Sequence, residues 1–303
     1  MTGTREGAKA EQRSLRVSIA LSVALAVIAL IVGMLSGTRI IIFDGAYMLI
    51  GLILSWASLK ASTTVAAGPT SRFPFGRDAL APFVVAIQGV AIAGTLLYAA
   101  GDAVVVIRDG GSAVNPVVIV TYGAITAGVG WFAASWLPRI ARGSDLVVAE
   151  AAQWRAGAVL SIVMAAGAVA AMVIERTEIR EIVQYIDPIL VLISCAILAP
   201  IPVRLIRSGL NELLEGAPPA AVADEIARVV AQVRERFALG EPIVRSSKVG
   251  RKLYVEVDFV VMASQWDVSE EDDVRHAIID GLAPLGLEVW ASISLTTDPG
   301  LTD

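Results

Sequence analysis

The chain has 303 residues, of which 56% are hydrophobic and only 17% charged, against about a quarter charged in an ordinary soluble domain. Its net charge of −5 argues against a nucleic-acid partner held by positive charge, and its one cysteine, Cys195, excludes an intrachain disulfide. The charge is unevenly spread: residues 217–303 hold eight Lys/Arg and fifteen Asp/Glu, a net of −7, whereas residues 1–216 carry a net of +2. A charge-poor part suited to lipid therefore precedes an acidic part suited to water.

The N-terminal residues are polar through Arg16 and then apolar from Val17 to Met34. That run is too long for a cleaved leader and long enough to span a bilayer. Hydropathy predicts six spans, over 15–36, 39–64, 79–107, 115–137, 146–174 and 183–208. Turn chemistry separates them at Ser36-Gly37, Gly68-Pro69, Asp109-Gly110-Gly111, Asn115-Pro116 and Arg142-Gly143-Ser144. Small residues inside the spans, among them Gly123, Gly128, Gly130 and Gly167, let helices approach closely in lipid. A cytoplasmic N-terminus puts eleven flanking Lys/Arg inside and four outside, in keeping with the positive-inside bias. An even number of spans then returns the C-terminal part to the cytoplasm.

After Glu215-Gly216 the pattern changes. Ile226, Val229, Val230, Val233 and Phe237 recur at helical spacing. A strand-like segment near Ile243–Lys248 and a turn at Val249-Gly250 follow. Leu253, Val255, Val257 and Phe259 then alternate with Tyr254, Glu256 and Asp258, as in a half-buried strand. Ser269-Glu270-Glu271-Asp272 reads as a capped helix start, and a last strand carries Leu287, Val289, Ala291, Ile293 and Leu295 on one face. The expected architecture is an all-α six-helix transmembrane bundle with a C-terminal cytoplasmic α+β domain of αββαβ, ferredoxin-like order. Its parts are a cytoplasmic tail over 1–14, the spans over 15–208, a linker over 209–216 and the α+β domain over 217–303. No Ser/His/Asp constellation or phosphate-cradling glycine motif suggests an enzyme.

Several local stretches carry a resemblance. They are Phe43-Asp44-Gly45-Ala46-Tyr47-Met48-Leu49 in the second span and Arg72-Phe73-Pro74-Phe75-Gly76-Arg77 after it. Ala149-Glu150-Ala151-Ala152-Gln153-Trp154-Arg155 with Ser161 stand in the fifth span, and Asp187-Pro188 and Leu213-Leu214-Glu215 in and after the sixth. In order and spacing the chain resembles the cation diffusion facilitator (cation efflux) family over nearly its whole length, as a divergent member. The resemblance implies a multi-pass protein of the cell membrane that forms a homodimer and exports a divalent metal cation in exchange for protons. The cation is its substrate, no cofactor is implied, and lipid is its surroundings.

The family's transport site resembles two ligands four residues apart on each of two helices, which share a face and can surround a zinc-sized ion. Here Asp44 stands at the first such position and Met48 at the second. Gln153 and Gly157 stand at the other two, so only one ionisable ligand survives and Gly157 offers none. Asp44 is read as the principal carrier of cation and proton, unless Arg155 neutralises it. Gln153 offers a carbonyl oxygen or an interhelical hydrogen bond, and Met48 a thioether or packing. Glu150, three residues before Gln153, lies close to the same face and could supply the missing carboxylate. Asp102 and Asp187 are read as solvated residues near span ends, Asp258 as an outward-facing strand carboxylate or a metal ligand of the soluble domain, and His276 as an ordinary helix residue. A non-transporting partner in a membrane dimer is the competing reading.

Single cysteines placed at Ser71 and Ser112, in a background with Cys195 replaced, test the topology. An impermeant thiol reagent should label them from opposite sides of the membrane, and labelling of both from one side would disprove it.

Overall fold

The computed structural model describes residues 2–36, 39–111, 116–141, 143–174, 180–262 and 266–302; within these, the side chains of 2–6, 8, 33, 36, 39–47, 49–50, 116, 171, 174, 180–183, 186–187, 190 and 194 are not described. The turns expected at Ser36-Gly37, Asn115-Pro116 and Arg142-Gly143 fall partly outside the described residues.

Long apolar runs become helices because, in lipid, a backbone polar group must find its partner within the segment. Helices α1 (Thr2–Ser36), α2 (Arg39–Ala66), α3 (Leu80–Arg108), α4 (Pro116–Ile140), α5 (Asp145–Ile174), α6 (Arg180–Leu198) and α7 (Pro200–Leu213) form the first part of the chain. Among the described residues five segments are long and apolar enough to cross a membrane: Lys9–Val32, Leu80–Arg108, Val117–Ile140, Asp145–Ala170 and Val191–Leu213. The chain is a multi-pass membrane protein. The second expected span falls on α2, eleven of whose 28 side chains lie outside the description.

Within the stretch expected as an N-terminal tail over 1–14, the residues from Thr2 onward are helical and continuous with α1. The linker expected over 209–216 is helical through Leu213. The last expected span is also two helices, divided at Ala199. Pro200 and Pro202 follow within three residues, and neither has an N–H to continue the ladder of α6.

Close approach is built from small residues. At Gly209 of α7 an added Cβ would come within 2.6 Å of the Pro82 carbonyl oxygen and 2.9 Å of the Ala86 Cβ, so α3 and α7 touch nearly backbone to backbone. The other extensive helix pairs are α4 with α5 and α1 with α2.

The soluble part runs α8 (Ala220–Arg236), β1 (Pro242–Val249), β2 (Lys252–Val260), α9 (Val268–Leu282) and β3 (Glu288–Thr296), which is the αββαβ order. The sheet order is β1-β2-β3; β1 and β2 are antiparallel, with Val249 opposite Lys252 across a two-residue turn, and β2 and β3 are parallel. Its core joins Ile226, Val229, Val230 and Val233 to Leu253, Val255, Val257 and Phe259, and both to Val274, Ile278 and Leu282. The capping box of α9 stands two residues earlier than expected: Asp267 accepts from the Glu270 backbone N–H, and the Glu270 side chain accepts from the Asp267 N–H.

The β1–β2 turn docks on the helical part. The Lys248 ammonium lies 2.7 Å from Asp145 at the start of α5 and 2.8 Å from Glu212 near the end of α7. Glu212 also accepts the Gly250 N–H at 2.8 Å. The Lys252 ammonium donates to Asp78 and to the Phe75 carbonyl, each at 3.0 Å, and Phe75 meets Trp290 of β3 edge to face. The Arg72–Arg77 stretch that carried part of the family resemblance is thus a seat for the soluble domain.

Gly209→Ala should lower the thermal midpoint by an amount equivalent to about 1–3 kcal/mol, the usual cost of overpacking. Gly157→Ala, whose added Cβ meets nothing within 4 Å, should leave the midpoint unchanged or slightly raised; thermal unfolding in detergent compares them.

Burial pulls the Lys248 ammonium down, but Asp145 and Glu212 outweigh it and hold its pKa above the ordinary 10.5. A raised lysine stabilises docking fully below its undocked pKa, and that stabilisation is lost as pH rises through the docked one. Docking should therefore persist from neutral pH to about 10.5 and be lost only as pH rises through the docked pKa above that, read by Trp290 emission in a protein whose other tryptophans are phenylalanine. Lys248→Gln should loosen docking at neutral pH by about 2 kcal/mol, seen as roughly thirty-fold faster amide exchange over residues 248–252.

Candidate functional site

Helices α1 to α6 converge on one cavity of about 300 Å³. Ser22 and Leu25 reach it from α1, Met48 and Gly51 from α2, and Thr95, Tyr98, Asp102 and Val106 from α3. Thr126 and Gly130 reach it from α4, Glu150, Gln153, Gly157 and Ser161 from α5, and Pro188 and Val191 from α6. On α3 and α5 these positions recur every three or four residues, the period of one helix face. Most of the lining is apolar, so each polar group in it stands out.

Gln153 is the first of these. Its side-chain carbonyl oxygen is buried and has no hydrogen-bond partner among the described residues. The amide nitrogen faces Gly51, where an added Cβ would come within 2.7 Å of it; glycine at 51 makes room for the amide between α2 and α5. Met48 lines the same cavity and packs with Ala29 and Tyr122. Gly157, one turn beyond Gln153, faces open space. Asp44 stands four residues before Met48 in α2, but its side chain lies outside the described residues, as does that of Asp187. Arg155 is exposed, away from Gln153.

Glu150 is more deeply set than its place near the start of α5 suggests. It is 1% exposed. Its Oε1 accepts hydrogen bonds from the Ser18 hydroxyl of α1 at 2.5 Å and from the Ser55 hydroxyl of α2. Its Oε2 accepts from the Gln88 amide of α3 at 3.0 Å. Gln88 is 0% exposed and also donates to Ser58 at 3.1 Å, and the Trp154 indole N–H donates to Ser18 at 2.6 Å. A second buried carboxylate, Glu11 of α1, accepts from Ser62 and from Ser144. Ser144 in turn accepts the Val147 N–H and caps α5. Ser14, Ser18 and Ser22 of α1 and Ser55, Ser58 and Ser62 of α2 are all buried, giving a polar seam between two otherwise apolar helices.

Sequence reasoning missed the seam and Gln88, because serines in an apolar helix scarcely change its hydropathy. Their spacing of three and four residues was the available signal. Asp102 is exposed, as a solvated residue would be, yet it lines the cavity. Asp258 of β2 is 6% exposed, not outward-facing, and lies 3.5 Å from the Arg245 guanidinium, so a fixed cation already faces it. Among the described residues no three His, Cys, Asp or Glu side chains group as a metal site.

A cavity lined by α1 to α6, with oxygen and thioether donors on α2 and α5, is a setting in which a cation can be carried across lipid. Residues 15–214 match the model of the cation efflux transmembrane domain. The chain belongs to the cation efflux family. Members of that family are transporters of metal cations rather than enzymes, and this chain carries their transmembrane domain over two thirds of its length. No curated protein sequence matches it.

Proposed function

We propose that this cation efflux protein exports a divalent metal cation in exchange for protons, and that the ion rests between α2 and α5 on Asp44, Gln153 and Met48. The observation that carries this reading is the Gln153 carbonyl oxygen, buried and unpartnered on the cavity wall. An unsatisfied buried acceptor costs about 1–3 kcal/mol, and a cation on that oxygen removes the cost. Asp44 and Met48 stand four apart in α2, the spacing of the family's ligand pair, and Met48 reaches the cavity. Oxygen donors with one thioether suit a harder ion than zinc, whose sites are rich in His and Cys. One carboxylate among neutral donors implies loose binding and low selectivity.

In this proposal the chain spans six times, with the N-terminus and soluble domain in the cytoplasm of a cell-membrane homodimer. The Lys/Arg bias supports the orientation. One observation favours a second reading, a non-transporting partner in a membrane dimer: where the family pattern has its fourth ligand, Gly157 leaves open space.

Proteoliposomes given Zn²⁺, Mn²⁺, Co²⁺ and Cd²⁺ in turn, with a trapped pH dye, separate the two. The wild type should move at least one of these ions with counter-movement of protons. Asp44→Asn should reduce that flux to below roughly a tenth, Gln153→Ala should weaken it several-fold, and Gly157→Asp, which adds a carboxylate where there is space, should tighten binding by roughly ten-fold or more, the effect of one well-placed charge. Wild-type flux through Asp44→Asn would place the ion path elsewhere, and no flux of any ion would favour the non-transporting reading.

A further inference from the structure

Glu150 is poorly placed to be the fourth ligand of the transported metal. Three donors already converge on its carboxylate: the Ser18 and Ser55 hydroxyls on Oε1 and the Gln88 amide on Oε2. A metal ion would have to displace donors from the positions it needs. A proton needs only the lone pair left on Oε2, where one hydrogen bond arrives. The surroundings ask for such a charge. No lysine, arginine or histidine among the described residues pairs with Glu150, and an isolated carboxylate out of water is held at a large cost until something neutralises it. Every helix against it presents neutral groups: Ser18 on α1, Ser55 and Ser58 on α2, Gln88 on α3. Among the described residues the other acidic groups of this region are Glu11, seven residues before Ser18 on α1, and Asp102, elsewhere on the cavity wall, and Asp44 of the proposed metal site is acidic too; none supplies positive charge.

Gln88 gives a second, independent indication. It is wholly buried, yet its carbonyl oxygen has no partner among the described residues while its amide nitrogen serves Ser58 and Glu150. That arrangement fits a charged Glu150. Turned by 180° about its last bond, the same amide presents its oxygen to Glu150, which suits a protonated carboxyl with an O–H to donate. Gln88 can thus satisfy both protonation states without moving its backbone.

We propose that Glu150 binds the exchanged proton, one helical turn from the residues that hold the metal, so that the two ions occupy separate places in one site instead of competing for the same ligands. This rests on the transport reading above, and it moves to Glu150 the proton that the sequence pattern assigns to Asp44. Coupling is then electrostatic. A divalent ion at Gln153, three residues along the same helix face, lowers the proton affinity of Glu150 by roughly ten-fold or more, and the Oε2 proton leaves as the metal arrives. Beyond Glu150, the Gln88–Ser58 bond leads along the buried face of α2 to Ser62 and Glu11. Glu11 is tied to Ser144, next to Asp145 on the face that seats the soluble domain, so buried polar groups continue toward that side, with no hydrogen bond between Ser58 and Ser62 among the described residues.

Infrared difference spectra of the purified full-length protein, titrated between pH 5 and 10, test the assignment without requiring transport. The wild type should show a protonated-carboxyl carbonyl band that persists above neutral pH and is missing in Glu150→Gln. Identical bands in the two proteins would overturn the proposal. Mn²⁺ and Zn²⁺, added separately at fixed pH, should diminish the wild-type band, and calorimetry should find metal affinity in Glu150→Gln within about three-fold of wild type, with less proton release. A loss of affinity beyond a hundred-fold would make Glu150 a metal ligand and overturn the separation. Ser55→Ala keeps the carboxyl and removes one donor to its charged form, so the midpoint of the band should rise by roughly one pH unit; an unmoved midpoint counts against the proposal even if Glu150→Gln fails to fold. If the band behaves as expected but no metal is moved in proteoliposomes, the transport reading fails while the proton site stands.

Discussion

Charge out of water must be answered from within the protein, and in the helical part of this chain the demand falls hardest on Glu150. Its answer comes from hydroxyl and amide groups on three other helices rather than from a basic side chain. Hydrogen bonds of this kind are directional, so they fix the rotation of α1, α2, α3 and α5 about their axes, which apolar packing alone would leave loosely specified. Once that register is set, Gly51 falls opposite Gln153 and the small residues of α4 fall against α5. The cavity is what remains where the six helices cannot close over the polar groups.

The chemistry of that cavity follows from what is missing as much as from what is present. A four-ligand site of charged and imidazole donors holds zinc firmly, and protons compete for every ligand. Neutral donors do not titrate near neutral pH. An ion held by the Gln153 carbonyl and the Met48 thioether is not displaced by protonating them, so exchange coupling has to come from a group that does titrate within reach.

Much of the architecture was legible in the sequence. Lipid demands uninterrupted apolar runs, and the alternation along Leu253, Val255, Val257 and Phe259 marks a half-buried strand wherever it occurs. The corrections fall where local pattern and tertiary context part company. Residues 2–14 read as polar in sequence, yet they are helical with α1, and Glu11 among them is met by Ser62 of α2 and by Ser144 just ahead of α5. The division at Ala199 lies within an apolar run, and only the paired prolines announce it. Asp267 caps α9 although Ser269 fits the same pattern two residues later. In the site, Gln153, Met48 and Glu150 line one cavity; spacing related only Glu150 to Gln153, and the family resemblance brought in Met48 from another helix. What could not be read was which of them already had partners, since Ser18, Ser55 and Gln88 are distant in sequence and hydropathy carries no information on how one helix is rotated against another.

The docked hairpin has a mechanical meaning. Through Lys248 and Lys252 a single rigid turn grips the start of α5, the end of α7 and the loop ahead of α3. Any tilt of α5 relative to the α3–α7 pair pulls on this grip, so the soluble domain acts as a hub that stiffens one end of the bundle. Movement of α5 against the α3–α7 pair is thus coupled to the seat of the soluble domain, and a change in that seat is felt at the start of the helix that carries Glu150 and Gln153.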